Sequence, residues 1–133
     1  MANRRKLAGI DMLGLALIAL TGGGAALFRQ LAIVPRATVG QCAALPAPLF
    51  CLPRQAVLWA QYEQWFGAAA LLLGLAGFVL GNRLLGIAAI AIGIAATVNY
   101  NATWGLFGAA LGLWAWIGAA TGRRLTTPPE QSP

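Results

Sequence analysis

Groups able to do chemistry are scarce in this chain: among 133 residues there are two cysteines, three acidic residues and no histidine. Cys42 and Cys51 are separated by eight residues, a loop that a disulfide can close. On chain-entropy grounds such a bridge stabilises a fold by about 2.7 kcal/mol, and a structural disulfide is the reading taken here. The chemical rival is the redox-active pair of a membrane thiol redox protein. Membrane thiol oxidases relay electrons through a second pair or a closely spaced Cys-x-x-Cys, and this chain has neither. Two thiolates without histidine fall short of the four ligands of a structural zinc site, so no metal and no cofactor is expected. No serine or cysteine nucleophile constellation is evident either, and no catalytic residue is assigned.

Two acids fall in or beside apolar runs. Asp11 follows the basic cluster Arg4, Arg5 and Lys6. If a helix enters hydrocarbon near Ala8, Asp11 lies only about 5 Å inside, where headgroup water or those bases can reach it. Glu63 sits about 27 Å back along a helix from Gly81, near the opposite interface. The expectation is an interfacial acid in each case. The alternative is that Asp11 or Glu63 couples ions in a small oligomeric transporter or channel. Trp59, Tyr62, Glu63 and Phe66 share one helix face by spacing and read as part of an aromatic belt.

Polar side chains gather in two stretches, Arg54, Gln55, Gln61, Tyr62 and Glu63 in one and Asn99, Tyr100 and Asn101 in the other. Topology places both stretches at one end of the protein, beside the cysteines, as a candidate outer-face polar site. The ordinary account is that amides cap helices and meet water at interfaces. Asn101-Ala102-Thr103 matches a glycosylation acceptor, discounted because it lies so near the membrane.

The elements that must position these groups follow from composition. The chain is 59% hydrophobic and 9% charged, with mean hydropathy +0.73, against about 25% charged residues in soluble domains. Lipid is the solvent such a chain requires. Its formal charge of +6 is scattered between apolar runs and forms no basic face, which argues against nucleic acid. The predicted fold is an all-α membrane protein with four transmembrane helices. The segments are a basic N-terminus (1–6), a first span (7–28), an outer loop with the disulfide (29–54), a second span (55–81), a third (84–98), a fourth (103–122) and a disordered tail (123–133). The second helix starts near Pro53 or Arg54, with its first turns at or above the outer interface and its uncharged stretch at Trp65 to Leu80. A cleaved signal peptide is the alternative for the first run, opposed by its length, by Asp11 and by the lack of a clean cleavage site.

Orientation follows from the bases: Arg4, Arg5, Lys6, Arg83, Arg123 and Arg124 lie on one side, and Arg29, Arg36 and Arg54 on the other. That bias puts both termini in the cytoplasm. Lipid is as apolar as leucine, so helix association must come from close packing of small residues. Gly77 and Gly81, Gly108 and Gly112, and Gly118 and Gly122 are each four apart, and Gly86 and Gly93 are a heptad apart. They fit a compact bundle or a face that docks a protein partner or a second copy. The run Gly22-Gly23-Gly24 predicts a kink or an early helix end. Trp114 and Trp116 project to different sides of the last helix, leaving at least one for lipid or another subunit. The reading is a non-enzymatic accessory or interaction subunit of a membrane complex. An alanine- and glycine-rich chain with an arginine bias fits a bacterial inner membrane.

Overall fold

A computed structural model describes residues 9–122; the basic N-terminus and the tail read from the sequence lie outside the described residues. Every element described is a helix: α1 (Gly9–Phe28), a π-helical turn (Arg29–Ile33), α2 (Ala37–Ala43), α3 (Cys51–Tyr62), α4 (Trp65–Leu80), α5 (Arg83–Val98) and α6 (Ala102–Thr121). By length and composition, two stretches can cross a membrane, Gly9–Ile33 and Ala102–Thr121. They become three if α3 and α4, which meet at 66°, are counted as one bent span; α5 is apolar but shorter.

Helices α4, α5 and α6 form the core, each packed on the other two, and α1 lies along α5. Residue pairings fix the directions. Gly86 meets Gly112 and Gly93 meets Gly105, so α5 and α6 are antiparallel, whereas Gly74 meets Gly108 and Gly67 meets Trp104, so α4 and α6 are parallel. Gly14 meets Ile87 and Gly22 meets Ile94, so α1 runs with α5. One end of the bundle therefore holds the starts of α1 and α5, and the other holds the starts of α4 and α6 beside the disulfide strap.

This core is made of small residues. Ala70, Ala89, Ala95, Ala96 and Ala115 are buried, while Leu20, Leu72, Leu106, Phe107 and Trp114 are exposed. Glycines bring backbone against backbone: a Cβ on Gly108 would lie 2.3 Å from the Ala70 carbonyl carbon and oxygen, and one on Gly86 2.6 Å from the Gly112 oxygen. Two glycines of the spaced pairs serve otherwise, since Gly81 (φ 62°) and Gly122 (φ 71°) end α4 and α6 in the left-handed conformation. There glycine avoids the Cβ penalty and lets the next amides satisfy terminal carbonyls. Asn82 then caps α5, its side-chain oxygen accepting from the Leu84 and Leu85 amides at 2.9 and 3.3 Å.

Three local expectations change. The triple glycine does not end α1, which continues to Phe28 before the chain widens into the π turn and stops at Pro35. Gly22 is needed for contact instead, because a Cβ there would lie 2.8 Å from Ile94 Cγ2. The helix expected to run unbroken from Pro53 to Leu80 is divided after Tyr62, with Gln64 at φ 59°. The Gln61 carbonyl takes the Gln64 amide at 3.2 Å, closing α3 there. Finally, the strap from 29 to 54 is largely helical, with α2 and the start of α3 inside it.

Candidate functional site

Polar side chains collect at both ends of the bundle. At the end formed by the starts of α1 and α5, Asp11 is only 6% exposed. Trp116 Nε1 donates to its Oδ1 at 2.7 Å, and Arg83 Nη1 stands 3.4 Å from the same oxygen. The second Arg83 nitrogen donates to the Ala119 carbonyl at 3.3 Å, near the end of α6. Two other helices, α5 and α6, thus supply one carboxylate with a counter-charge and a donor, as a buried acid requires. Asp11 is a paired acid, and its described partner is Arg83 instead of the preceding basic cluster, which lies outside the described residues.

The other end carries the amides. Helix α5 terminates with Tyr100 at φ 62°, the Asn101 amide reaching back to the Ala96 carbonyl at 2.8 Å and the Tyr100 amide to Thr97 at 3.3 Å. This is the helix ending in which glycine normally holds the left-handed position. A tyrosine there costs roughly 1–2 kcal/mol of backbone strain. Its ring is met by the Arg29 guanidinium, with Cζ 4.2 Å from the ring centre, a cation–π contact that offsets part of that cost. Asn99 and Asn101 are buried. Asn99 Nδ2 donates to the Ala95 carbonyl at 2.9 Å, and Asn101 Nδ2 to the Gln61 carbonyl at 3.3 Å, tying the α5–α6 turn to the end of α3. Three buried polar atoms on these residues have no hydrogen-bond partner: Arg29 Nη1, Gln61 Oε1 and Asn99 Oδ1.

Beside this cluster the disulfide Cys42–Cys51, with Cα atoms 5.5 Å apart, ties α2 to the first residue of α3. Arg54 Nε donates at 2.9 Å to the carbonyl of Ala32, which lies just before Pro35 where the helical run ends. Cys42, Cys51, Arg54, Gln55, Trp59 and Tyr62 line a cleft of about 560 Å³.

Of the residues read from the sequence as an outer-face site, Gln61 and Asn101 are in direct contact, and Asn99 and Tyr100 share their turn. Arg54, Gln55 and Tyr62 lie along the neighbouring cleft. Glu63 is exposed at the α3–α4 junction and joins no ion pair among the described residues. Sequence reasoning missed Arg29 at this end and Arg83 with Trp116 at the other. Arg83 could have been found, because it follows Gly81-Asn82 on the side already assigned to Asp11. Among the described residues no group of three or more potential metal ligands occurs. No family model, curated protein or solved structure matches the chain.

Proposed function

We propose that this chain is a four-span integral membrane protein, with both termini cytoplasmic, that serves as a non-enzymatic subunit of a membrane complex. One observation carries the non-catalytic reading: Asp11, the acid embedded in an apolar helix, is engaged by Arg83 and Trp116. An ion-coupling carboxylate must exchange its proton or cation, and this one is held by an opposite charge and a donor from two other helices. The bonded cysteines and the exposure of Glu63 at a turn support the same scaffold reading.

The membrane reading is supported by the inverted distribution of side chains, alanine and glycine inside with leucine, phenylalanine and tryptophan outside. In water that arrangement forfeits about 25 cal/mol for each Å² of apolar surface left exposed; in hydrocarbon it costs nothing. Helices α4 and α5, 16 residues each, rise about 24 Å, and such short spans are accommodated by local thinning. A cytoplasmic location for the Asp11 end is supported by the bases that flank its apolar runs in the sequence, Arg4, Arg5, Lys6, Arg83, Arg123 and Arg124, and a bacterial inner membrane is the preferred setting.

The partner surface is assigned to α1, whose apolar stretch is only 11% buried and whose Leu20 is 72% exposed. A photoreactive residue at Leu20 should give one protein adduct of fixed mass in native membranes, retained in Asp11→Asn. Adducts with lipid alone at Leu20 and Leu27 would remove the subunit reading. Reconstituted vesicles whose proton or sodium permeability collapsed on Asp11→Asn would replace it with ion coupling.

A further inference from the structure

Helix α3 differs in kind from the helices beside it. Leu52, Ala56 and Trp59 recur at i, i+4 and i+7 and form one stripe; Arg54, Leu58 and Gln61 form another at the same spacing. The first stripe is exposed, with Leu52 at 71% and Trp59 at 59%. The second turns inward, Arg54 onto the Ala32 carbonyl and the Gln61 backbone under Asn101. An apolar stripe, bordered by exposed Gln55, is thus turned away from the protein, with Arg54 and Gln61 on the opposite side.

Its orientation is fixed as well. The axis bends by 66° from α4, and left-handed Gln64 makes the break. Trp59 stacks on Trp65 across the bend, ring centres 6.3 Å apart and planes 29° apart. The disulfide holds the first residue of α3, Arg54 its first turn and Asn101 its last. A helix clamped at both ends cannot swing to bury its apolar stripe on the bundle.

We propose that α3 lies in the plane of the membrane, its Leu52–Ala56–Trp59 stripe sunk into the headgroup–acyl boundary of the outer leaflet. The inference rests on the membrane reading above. If α4 crosses the bilayer, a helix at 66° to it runs mostly along the surface, where a short amphipathic helix with tryptophan on its apolar face is stable. Charge points to the same occupant. From Arg29 to Tyr62 the chain holds three arginines and no acid, and exposed Arg36 among them is complementary to headgroup phosphates. The strap also exposes Leu45 and Leu49 almost completely, unfavourable in water and natural at a lipid surface.

The test uses the full chain in vesicles of phosphatidylcholine and phosphatidylglycerol, with a photoreactive residue at Leu52, at Ala56 on the same stripe, at Leu58 on the inward stripe, or at Leu72 on exposed α4. Phospholipid adducts at Leu52 and Ala56 should come within about threefold of those at Leu72, with Leu58 about fivefold or more below, as an interfacial helix requires. Two stripe positions guard against one substitution disturbing the helix. Lipid adducts at Leu72 with none at Leu52 or Ala56 would overturn the placement of α3 alone. Their absence at Leu72 as well would overturn the membrane reading with it. Adducts joining two copies of the chain at Leu52 would also reject the proposal, showing that a second copy covers the stripe.

Discussion

The α4–α5–α6 core and the α1 flank are both built on glycine, but glycine meets different things in the two places. Within the core it meets backbone: Gly108 lies against the Ala70 carbonyl, Gly74 against Gly108, and Gly112 against the Gly86 oxygen. On α1 it meets side chains, Gly14 the Cδ1 of Ile87 and Gly22 the Cγ2 of Ile94. A side-chain end can rotate away from an added methyl, whereas a carbonyl in a helix moves only with its helix. The core should therefore behave as one rigid unit, and α1 as a helix attached to it by replaceable contacts and one ion pair.

The most disruptive test of that contrast is one methyl group at the tightest crossing. Gly108→Ala places a Cβ 2.3 Å from Ala70 carbonyl atoms and should cost about 3 kcal/mol or more as α4 and α6 are forced apart. Gly14→Ala meets Ile87 Cδ1 at 2.7 Å and should cost about 1 kcal/mol, since the isoleucine end can change rotamer. Denaturation in mild detergent, followed by circular dichroism, measures both. Equal losses would dissolve the distinction between the two regions.

Much of this division was legible in the sequence, for physical reasons that vary by element. The stretch Trp65 to Leu80 contains no polar side chain and ends in Gly-Asn, so α4 announces itself with its left-handed cap. The α5–α6 turn is written in Asn99-Tyr100-Asn101, and short connections bring those amides beside Gln61. The break between Tyr62 and Trp65 was hidden because a glutamine takes the left-handed position, where neither glycine nor proline marks it. The helices of the strap were masked by its four prolines. The Asp11 cluster was half legible: that Asp11 and Arg83 share one end of the bundle was readable, but the hydrogen bond from Trp116 crosses 105 positions, and no local pattern encodes it. Arg29 was read only as a loop charge, because the π turn that carries it beneath Tyr100 has no sequence signature.

The ion pair that helps hold α1 to the core gives the next largest effect. Arg83→Gln leaves the Asp11 carboxylate buried with only the Trp116 donor, and should cost about 2 kcal/mol, moderated because the Arg83 side chain is 25% exposed. Asp11→Asn should cost less, since the amide oxygen still accepts from Trp116 and the freed arginine can reach water. The double variant should recover most of the Arg83→Gln loss, a coupling that a double-mutant cycle reads directly. Strict additivity would mean that α1 is held by the isoleucine contacts alone.

The smallest effect, and the only gain, is expected one residue from a loss. Gly22 and Gly23 are neighbours in α1, yet a Cβ on Gly22 meets Ile94 Cγ2 at 2.8 Å and a Cβ on Gly23 meets nothing within 4 Å. Alanine is the better helix former by roughly 1 kcal/mol in water. Gly23→Ala should therefore stabilise the protein by about 0.5 kcal/mol, the proposed membrane setting reducing the gain because a helix in hydrocarbon already keeps its backbone bonds. Gly22→Ala should lose about 1 kcal/mol, because Ile94 must leave its preferred χ1 rotamer to carry Cγ2 clear of the added methyl. Paired thermal denaturation of the two variants in one detergent cancels shared systematic error, so the opposite signs are measurable. Matching signs would show that the glycine run acts through helix propensity, and that α1 does not lean on Ile94.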